Sequence, residues 1–352
     1  MRRLSTLQIA LAVSLTSLMQ QGNLIARKVH VGLNMAMMTL FLWQAVQTGM
    51  APWQLGLLTI LLLLAGSQLA SVLVNWLATL LTRPGPLPRL DFSLGLPATE
   101  ATLVVIPSLL HSATATDALL EALEVRFLGN QDPYLYFALL TDFTDADSET
   151  LPADQELLDR MQAGICELNQ RYASVFETCK DASNQPTEVK APRFLLFHRP
   201  RLWNAVAERW MGYERKRGKL AALNHGLRGS DLADFSLVVG DVAALGRVQY
   251  VITLDTDTQL PRDSARQFIA TMAHPLNQPR FAAAPGQGDH PLVIGGYGLL
   301  QPRMANSLSG ANSSGYARLF SSEAGLDPYT RTVSDVYQDM FGEGSFAGKG
   351  IY

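Results

Sequence analysis

From Val29 to Thr82 the chain carries no Asp, Glu, Lys or Arg. A helix that crosses a bilayer needs about 20 mainly apolar residues, so this stretch has room for two. The stronger segment is Leu55–Leu81, "LGLLTILLLLAGSQLASVLVNWLATLL", and the weaker is Val31–Gln47, "VGLNMAMMTLFLWQAVQ". Between them "TGMAPW" supplies Gly49 and Pro52 for a turn. The competing reading is a buried helical hairpin in a water-soluble core. Uninterrupted apolar length beyond about 18 residues argues against it.

The flanking charges orient the pair. Arg27 and Lys28 precede it, Arg83 and Arg89 follow it, and the turn has none. Positive residues are retained in the cytoplasm, which predicts a hairpin over residues 29–82 with both ends, and everything after Arg83, on the cytoplasmic side. Residues 4–26 are also uncharged, but Gln8, Gln20, Gln21 and Asn23 dilute them, and a third span would leave Arg2 and Arg3 outside. Residues 1–28 therefore read as an N-terminal segment with a peripheral or membrane helix. No small-residue cleavage site follows a short apolar core, which argues against a signal peptide.

"RPGPLPRLDF" breaks the helical pattern with three prolines and marks residues 83–99 as a linker into a second domain. From residue 100 the pattern alternates. Short apolar runs at Ala101–Pro107, "YLYFALLTDF", "RFLLFH" and "YVITLD" read as strands. Thr116–Leu128, Gln155–Val175, "LAALNHGLRG" and "PRDSARQFIATMAH" read as helices. This alternation predicts an α/β domain over 100–352 with a mostly parallel sheet. Ligands of such sheets bind outside the carboxyl ends of the strands, where Asp142 and Asp255 both fall. A length of 352 residues allows roughly two domains at about 150 each. The 28 basic against 31 acidic residues argue against nucleic acid or another polyanion as partner. Cys166 and Cys179 lack metal-site spacing and read as free thiols.

The chemistry concentrates in "YVITLDTDTQLP", with Asp255 and Asp257 one residue apart after an apolar strand. Two enzyme classes use such a string, and an acidic turn without chemistry matches it as well. Sugar-nucleotide transferases hold a divalent metal on a diphosphate with Asp-x-Asp. Phosphoryl hydrolases of the haloacid dehalogenase type use Asp-x-Asp-x-Thr, with the first Asp as nucleophile. The hydrolase scheme needs a downstream lysine followed by further acids, but after Lys219 the only lysine is Lys349, with no acid behind it. The transferase scheme finds its partners upstream, in Asp142 of "LLTDFTDAD" and Lys219 of "KLAALNHGL".

"KLAALNHGL" resembles the Lys-x-x-x-Leu-Asn segment of processive, family-2-like glycosyltransferases, in which the lysine meets the nucleotide diphosphate. Asp142 matches the first aspartate of those enzymes, which contacts the nucleoside. The blocks "ERKRGKLAALNHGL", "GYGLLQPRM" and "EAGLDPYTRTVSDVYQDMFGEGSFAGKGIY" narrow the resemblance to the glycosyltransferase domain of cyclic β-1,2-glucan synthases, from about Leu69 to Tyr352. "GYGLLQP", with Gln301, resembles the segment lining the acceptor path. "FAGKG", with Gly348 and Lys349, resembles the Phe-x-Gly-Thr-Asn turn beside the donor sugar.

The resemblance implies a GT-A-like fold behind transmembrane helices, in a multi-pass protein of the bacterial inner membrane with a cytoplasmic catalytic domain. It implies UDP-glucose as donor, a growing glucan as acceptor, and Mg²⁺ or Mn²⁺ on Asp257 with Asp255 beside it. Such hard cations prefer carboxylate and phosphate oxygens. The donor side then consists of Asp142, Lys219, Asp255, Asp257, Gln301, Gly348 and Lys349. The family's general base lies in a later His-Asp-like motif, before a Gln-x-x-Arg-Trp helix that grips the acceptor. Both are expected beyond Tyr352, since Glu323, Asp327, Asp335, Asp339 and Glu343 all precede the "GKG" turn. Two expectations follow: a donor-binding portion of a UDP-glucose-dependent β-1,2-glucan synthase, or an inactive truncated product that binds nucleotide sugar or partner chains.

Overall fold

A computed structural model describes residues 24–81, 87–173, 193–229, 231–282, 292–302, 314–315 and 348–352. Residues 1–23 and nearly all of 303–347 lie outside the described residues. These include the N-terminal helix expected from 4–26 and the long block after "GYGLLQP". Leu87–Pro302 and Gly348–Tyr352 form one compact unit, and the N-terminal helices belong to another.

In the first unit α1 (Leu24–Gln47) and α2 (Pro52–Leu81) pack along each other. The turn between them is tied by Thr48 and Gly49 amides to the carbonyls of Gln44 and Val46. Pro52 opens α2 at its first position, where a missing N–H is harmless. Phe41, Trp43, Trp53, Leu57, Ile60 and Leu63 point outward, an apolar exterior that water does not stabilise. Among the described residues Lys28–Gln47 is long and apolar enough to cross a membrane, and Pro52–Ser67 is a shorter apolar helix.

The second unit is a mixed α/β domain. Its elements are β1 (Thr102–Leu110), α3 (Ala113–Gly129), β2 (Leu135–Phe143), α4 (Asp154–Arg171), β3 (Phe194–Arg199), β4 (Leu202–Asn204), β5 (Arg209–Met211), α5 (Arg215–Leu227), β6 (Leu237–Val239), β7 (Tyr250–Thr253), α6 (Ser264–Met272), β8 (Arg280–Ala282), β9 (Leu292–Gly295) and β10 (Gly350–Ile351). The central sheet runs β10-β7-β1-β2-β3-β6. The four inner strands are parallel, and β10 and β6 join antiparallel at the two edges. The mostly parallel sheet expected from the alternation is present. Its inner strands carry long apolar runs because helices cover both faces, with Leu103–Ile106, Phe137–Leu140 and Phe194–Phe197 buried.

Several boundaries differ from the sequence reading. β1 passes through Pro107 to Leu110, because β7 pairs only as far as Val105 and a proline is tolerated where one neighbour is missing. α3 starts at Ala113, capped by the Ser112 hydroxyl accepting from the Ala115 amide at 3.2 Å. α5 starts at Arg215 instead of Lys219, which moves two lysines onto one helix. The hairpins β4–β5 and β8–β9 and the edge strands β6 and β10 were not foreseen. Each is two to four residues long, too short for period-2 alternation to register.

The strand order places the site. The chain builds β1, β2 and β3 outward in one direction, then returns to lay β7 on the other side of β1. This reversal opens a crevice at the carboxyl ends of β1 and β7, the position where open α/β sheets take ligands.

Candidate functional site

Three strand ends converge on that edge. Asp255 and Asp257 follow β7, Ser108 lies near the end of β1, and Asp142 is the penultimate residue of β2. The Asp255–Thr258 turn closes with the Thr258 amide on the Asp255 carbonyl at 3.1 Å. Beneath it sits Arg126 of α3, only 3 % exposed. Its guanidinium donates to the carbonyls of Thr256 at 2.7 Å and Thr258 at 2.8 and 3.0 Å. Burial pulls the Arg126 pKa down, and the charge of Asp257 opposes that pull. A fixed fork gripping the carbonyls on either side of Asp257 holds the turn in one shape, and the Asp257 side chain remains exposed.

Asp255 is met by two ammonium groups. Lys216 Nζ lies 2.5 Å from Oδ1 and Lys349 Nζ 3.2 Å from Oδ2. Burial pushes the Asp255 carboxyl up, but hydrogen bonds and charge from both lysines outweigh it and hold the group below the usual carboxylate range. Lys216 also donates to the Gly348 carbonyl at 2.6 Å. Gly348 has φ +77°, and a Cβ there would stand 3.0 Å from Lys216 Nζ. Both the backbone and the close approach of the lysine therefore select glycine.

Asp142 and Lys219 are joined to each other, deeper in. Asp142 is 1 % exposed and is the direct cross-strand partner of Arg199, whose fork meets both carboxylate oxygens at 2.9 and 3.0 Å. Lys219 Nζ lies 3.0 Å from Asp142 Oδ2 and donates to the Ser108 carbonyl at 2.6 Å. Burial lowers the Lys219 pKa against the opposing pull of Asp142. Gly212 is packed on the same carboxylate, where a Cβ would fall 2.5 Å from Oδ2. Removing one member would leave an uncompensated buried charge, at a cost of about 3–5 kcal/mol. Asp142 can meet a nucleoside only by sharing its carboxylate with this pair of cations.

Gln301 arrives by a different route. Leu300 and Ile351 exchange backbone hydrogen bonds at 2.8 Å, so Gln301 and the Gly348–Gly350 turn lie beside each other at the β10 edge. Of the sequence-predicted residues, the structure brings Asp255, Gly348 and Lys349 into one cluster, pairs Asp142 with Lys219 beneath the edge, and sets Asp257 and Gln301 at its margins. Glu323, Asp327, Asp335, Asp339 and Glu343 lie outside the described residues.

No family model matches the chain. It is, however, 41 % identical over 297 residues to the cyclic β-(1,2)-glucan synthase NdvB of Rhizobium meliloti (strain 1021), a match covering 84 % of this chain and 10 % of that protein. The chain belongs to the cyclic β-glucan synthase family. It spans about a tenth of the length of the curated relative it matches.

The sequence reading missed Lys216, Arg199 and Arg126, whose side chains the structure places on these groups. Lys216 falls in "ERKRGK", which by itself reads as a solvated basic turn; one helical turn before Lys219, its spacing is the available signal. Arg199 ends the strand beside Asp142, and matching the last residues of "YLYFALLTD" and "RFLLFHR" would have paired them. Arg126 carries no local signal, because its partners lie 129 to 132 residues away.

Among the described residues no group of three or more His, Cys, Asp or Glu surrounds a common point. The residues present still fit a hard divalent cation of the Mg²⁺ or Mn²⁺ kind. Such ions bind through one or two carboxylates and take remaining oxygens from substrate phosphates and water; Asp257 and Asp255 are the two carboxylates that would supply the protein share.

Proposed function

We propose that this chain is the donor-binding portion of a membrane-bound glycosyltransferase that takes glucose from UDP-glucose into β-1,2-glucan. The observation that carries the reading is the Asp255–Asp257 turn at the β1/β7 reversal, faced by Lys216 and Lys349 on one sheet edge. Membership of the cyclic β-glucan synthase family supports the product class. Asp257 with Asp255 would hold a divalent cation, which when bound neutralises charge on the departing diphosphate. The lysines supply point charges for phosphate oxygens. Asp142, with Arg199 and Lys219, forms the buried floor on which the nucleoside end rests. Gln301 lies on the side from which a glucan acceptor enters. The α1–α2 hairpin anchors the domain to the cytoplasmic face of the membrane.

Donor choice tests this reading. Titration of the full chain in detergent with UDP-glucose, ADP-glucose and GDP-mannose, each with Mn²⁺, should give UDP-glucose the tightest binding by at least about tenfold. Equal or tighter binding of ADP-glucose contradicts the assigned donor.

A further inference from the structure

The two lysines facing Asp255 differ from Lys219 in a way that reassigns the phosphate contact. Lys219 is 2 % exposed, and its ammonium is already committed to the Ser108 carbonyl and to Asp142. The side chains of Lys216 and Lys349 are 35 % and 20 % exposed, and both end at the rim of the crevice. An ammonium has three donors. Lys216 directs one to Asp255 and one to the Gly348 carbonyl, which leaves a third. The same two groups also cover both oxygens of the carboxylate that a cation would use.

We propose that Lys216 and Lys349 are the diphosphate-recognising cations of this site and that, without a diphosphate, they occupy Asp255 and keep a divalent cation off it. The proposal rests on the reading of the Asp255–Asp257 turn as a cation site. A divalent cation approaching the free chain meets two positive charges already on one of its two carboxylates, and like charges repel. A nucleoside diphosphate changes the balance, because its oxygens accept from the ammonium groups and complete the shell of the metal. The lysines then turn to phosphate and Asp255 is released to the cation. Binding of cation and diphosphate becomes mutually dependent, and the coupling must be reciprocal. The carbonyl of Gly348 sets the pivot, holding Lys216 at the rim in either arrangement.

The test reads cation binding with no nucleotide present. Free Mn²⁺ is followed by electron paramagnetic resonance while the full chain in detergent is added, and the Lys216→Met/Lys349→Met double variant is compared with the parent. The double variant should bind Mn²⁺ alone at least about tenfold more tightly than the parent, and UDP at saturating Mn²⁺ more weakly. Arg217→Met, which removes a positive charge from a side chain that is 83 % exposed, controls for general electrostatics and should leave Mn²⁺ affinity near the parent's. If the double variant loses its fold by circular dichroism, Lys349→Met alone is used and should show part of the gain. Equal Mn²⁺ affinity in parent and variant, or a gain matched by Arg217→Met, overturns the proposal. A parent that binds no UDP at any Mn²⁺ concentration while the variant still gains Mn²⁺ keeps the cation exclusion and removes the nucleotide reading instead.

Discussion

His198, on β3 beside the Asp142 cluster, shows how far burial controls individual groups in this domain. It is fully buried, with Nδ1 2.8 Å from the Thr141 hydroxyl and the ring edge-on to Phe143 at 4.3 Å. Nε2 has no hydrogen-bond partner among the described residues. Burial, opposed by Asp142, pushes its pKa down to about 4. The unfolded chain, titrating near the ordinary value of about 6.5, binds the proton first. Stability from this residue is therefore complete above that value and is lost as pH falls towards 4. The loss amounts to about 3 kcal/mol. Denaturant titrations of the full chain in detergent should show it between pH 7 and pH 4.5, and His198→Gln should flatten that dependence. An unchanged dependence would place the titration on another group. Asp255 acts at lower pH: its depressed pKa makes the lysine pairing present above the ordinary carboxylate range and lost only as pH falls below it.

At the scale of elements, legibility followed contact range. The long apolar strands and the helices between them could be read because local pattern and burial agree in β1, β2, β3 and β7. The aspartates stood out because they end strands. What sequence left dark was set by distant contacts: the start of α5, which places Lys216 beside Asp255 39 residues away, and β10, which reaches β7 from the far end of the chain. The assignment of Lys219 to phosphate came from family resemblance; its burial with Asp142 is a tertiary fact no local pattern carries. The α1–α2 hairpin gives an element-scale prediction. Trp43 and Trp53 flank its turn and are exposed, as at a membrane–water interface, and at about 1.5 Å per residue the 30 residues of α2 exceed a hydrocarbon core of about 30 Å. In intact cells, a cysteine at Thr48 should react with an impermeant thiol reagent from the periplasmic side, and one at Ser93 should not. The opposite pattern inverts the orientation.

At the scale of the whole molecule, the chain divides its work in order: apolar helices first, then a sheet whose strand reversal creates one crevice. All groups assigned to the donor lie on that sheet or on segments hydrogen-bonded to it, including Gly348 and Lys349, which return more than 90 residues after Asp255 to close the site. In the proposed function this edge holds a nucleoside diphosphate together with a divalent cation, through Asp255 and Asp257. Calorimetric titration of UDP into the full chain, with Mn²⁺ or with chelator, tests it most directly. Binding should require Mn²⁺ and weaken at least about tenfold in Asp257→Asn. The same affinity in chelator as in Mn²⁺, or an Asp257→Asn variant that binds like the parent, would contradict the account.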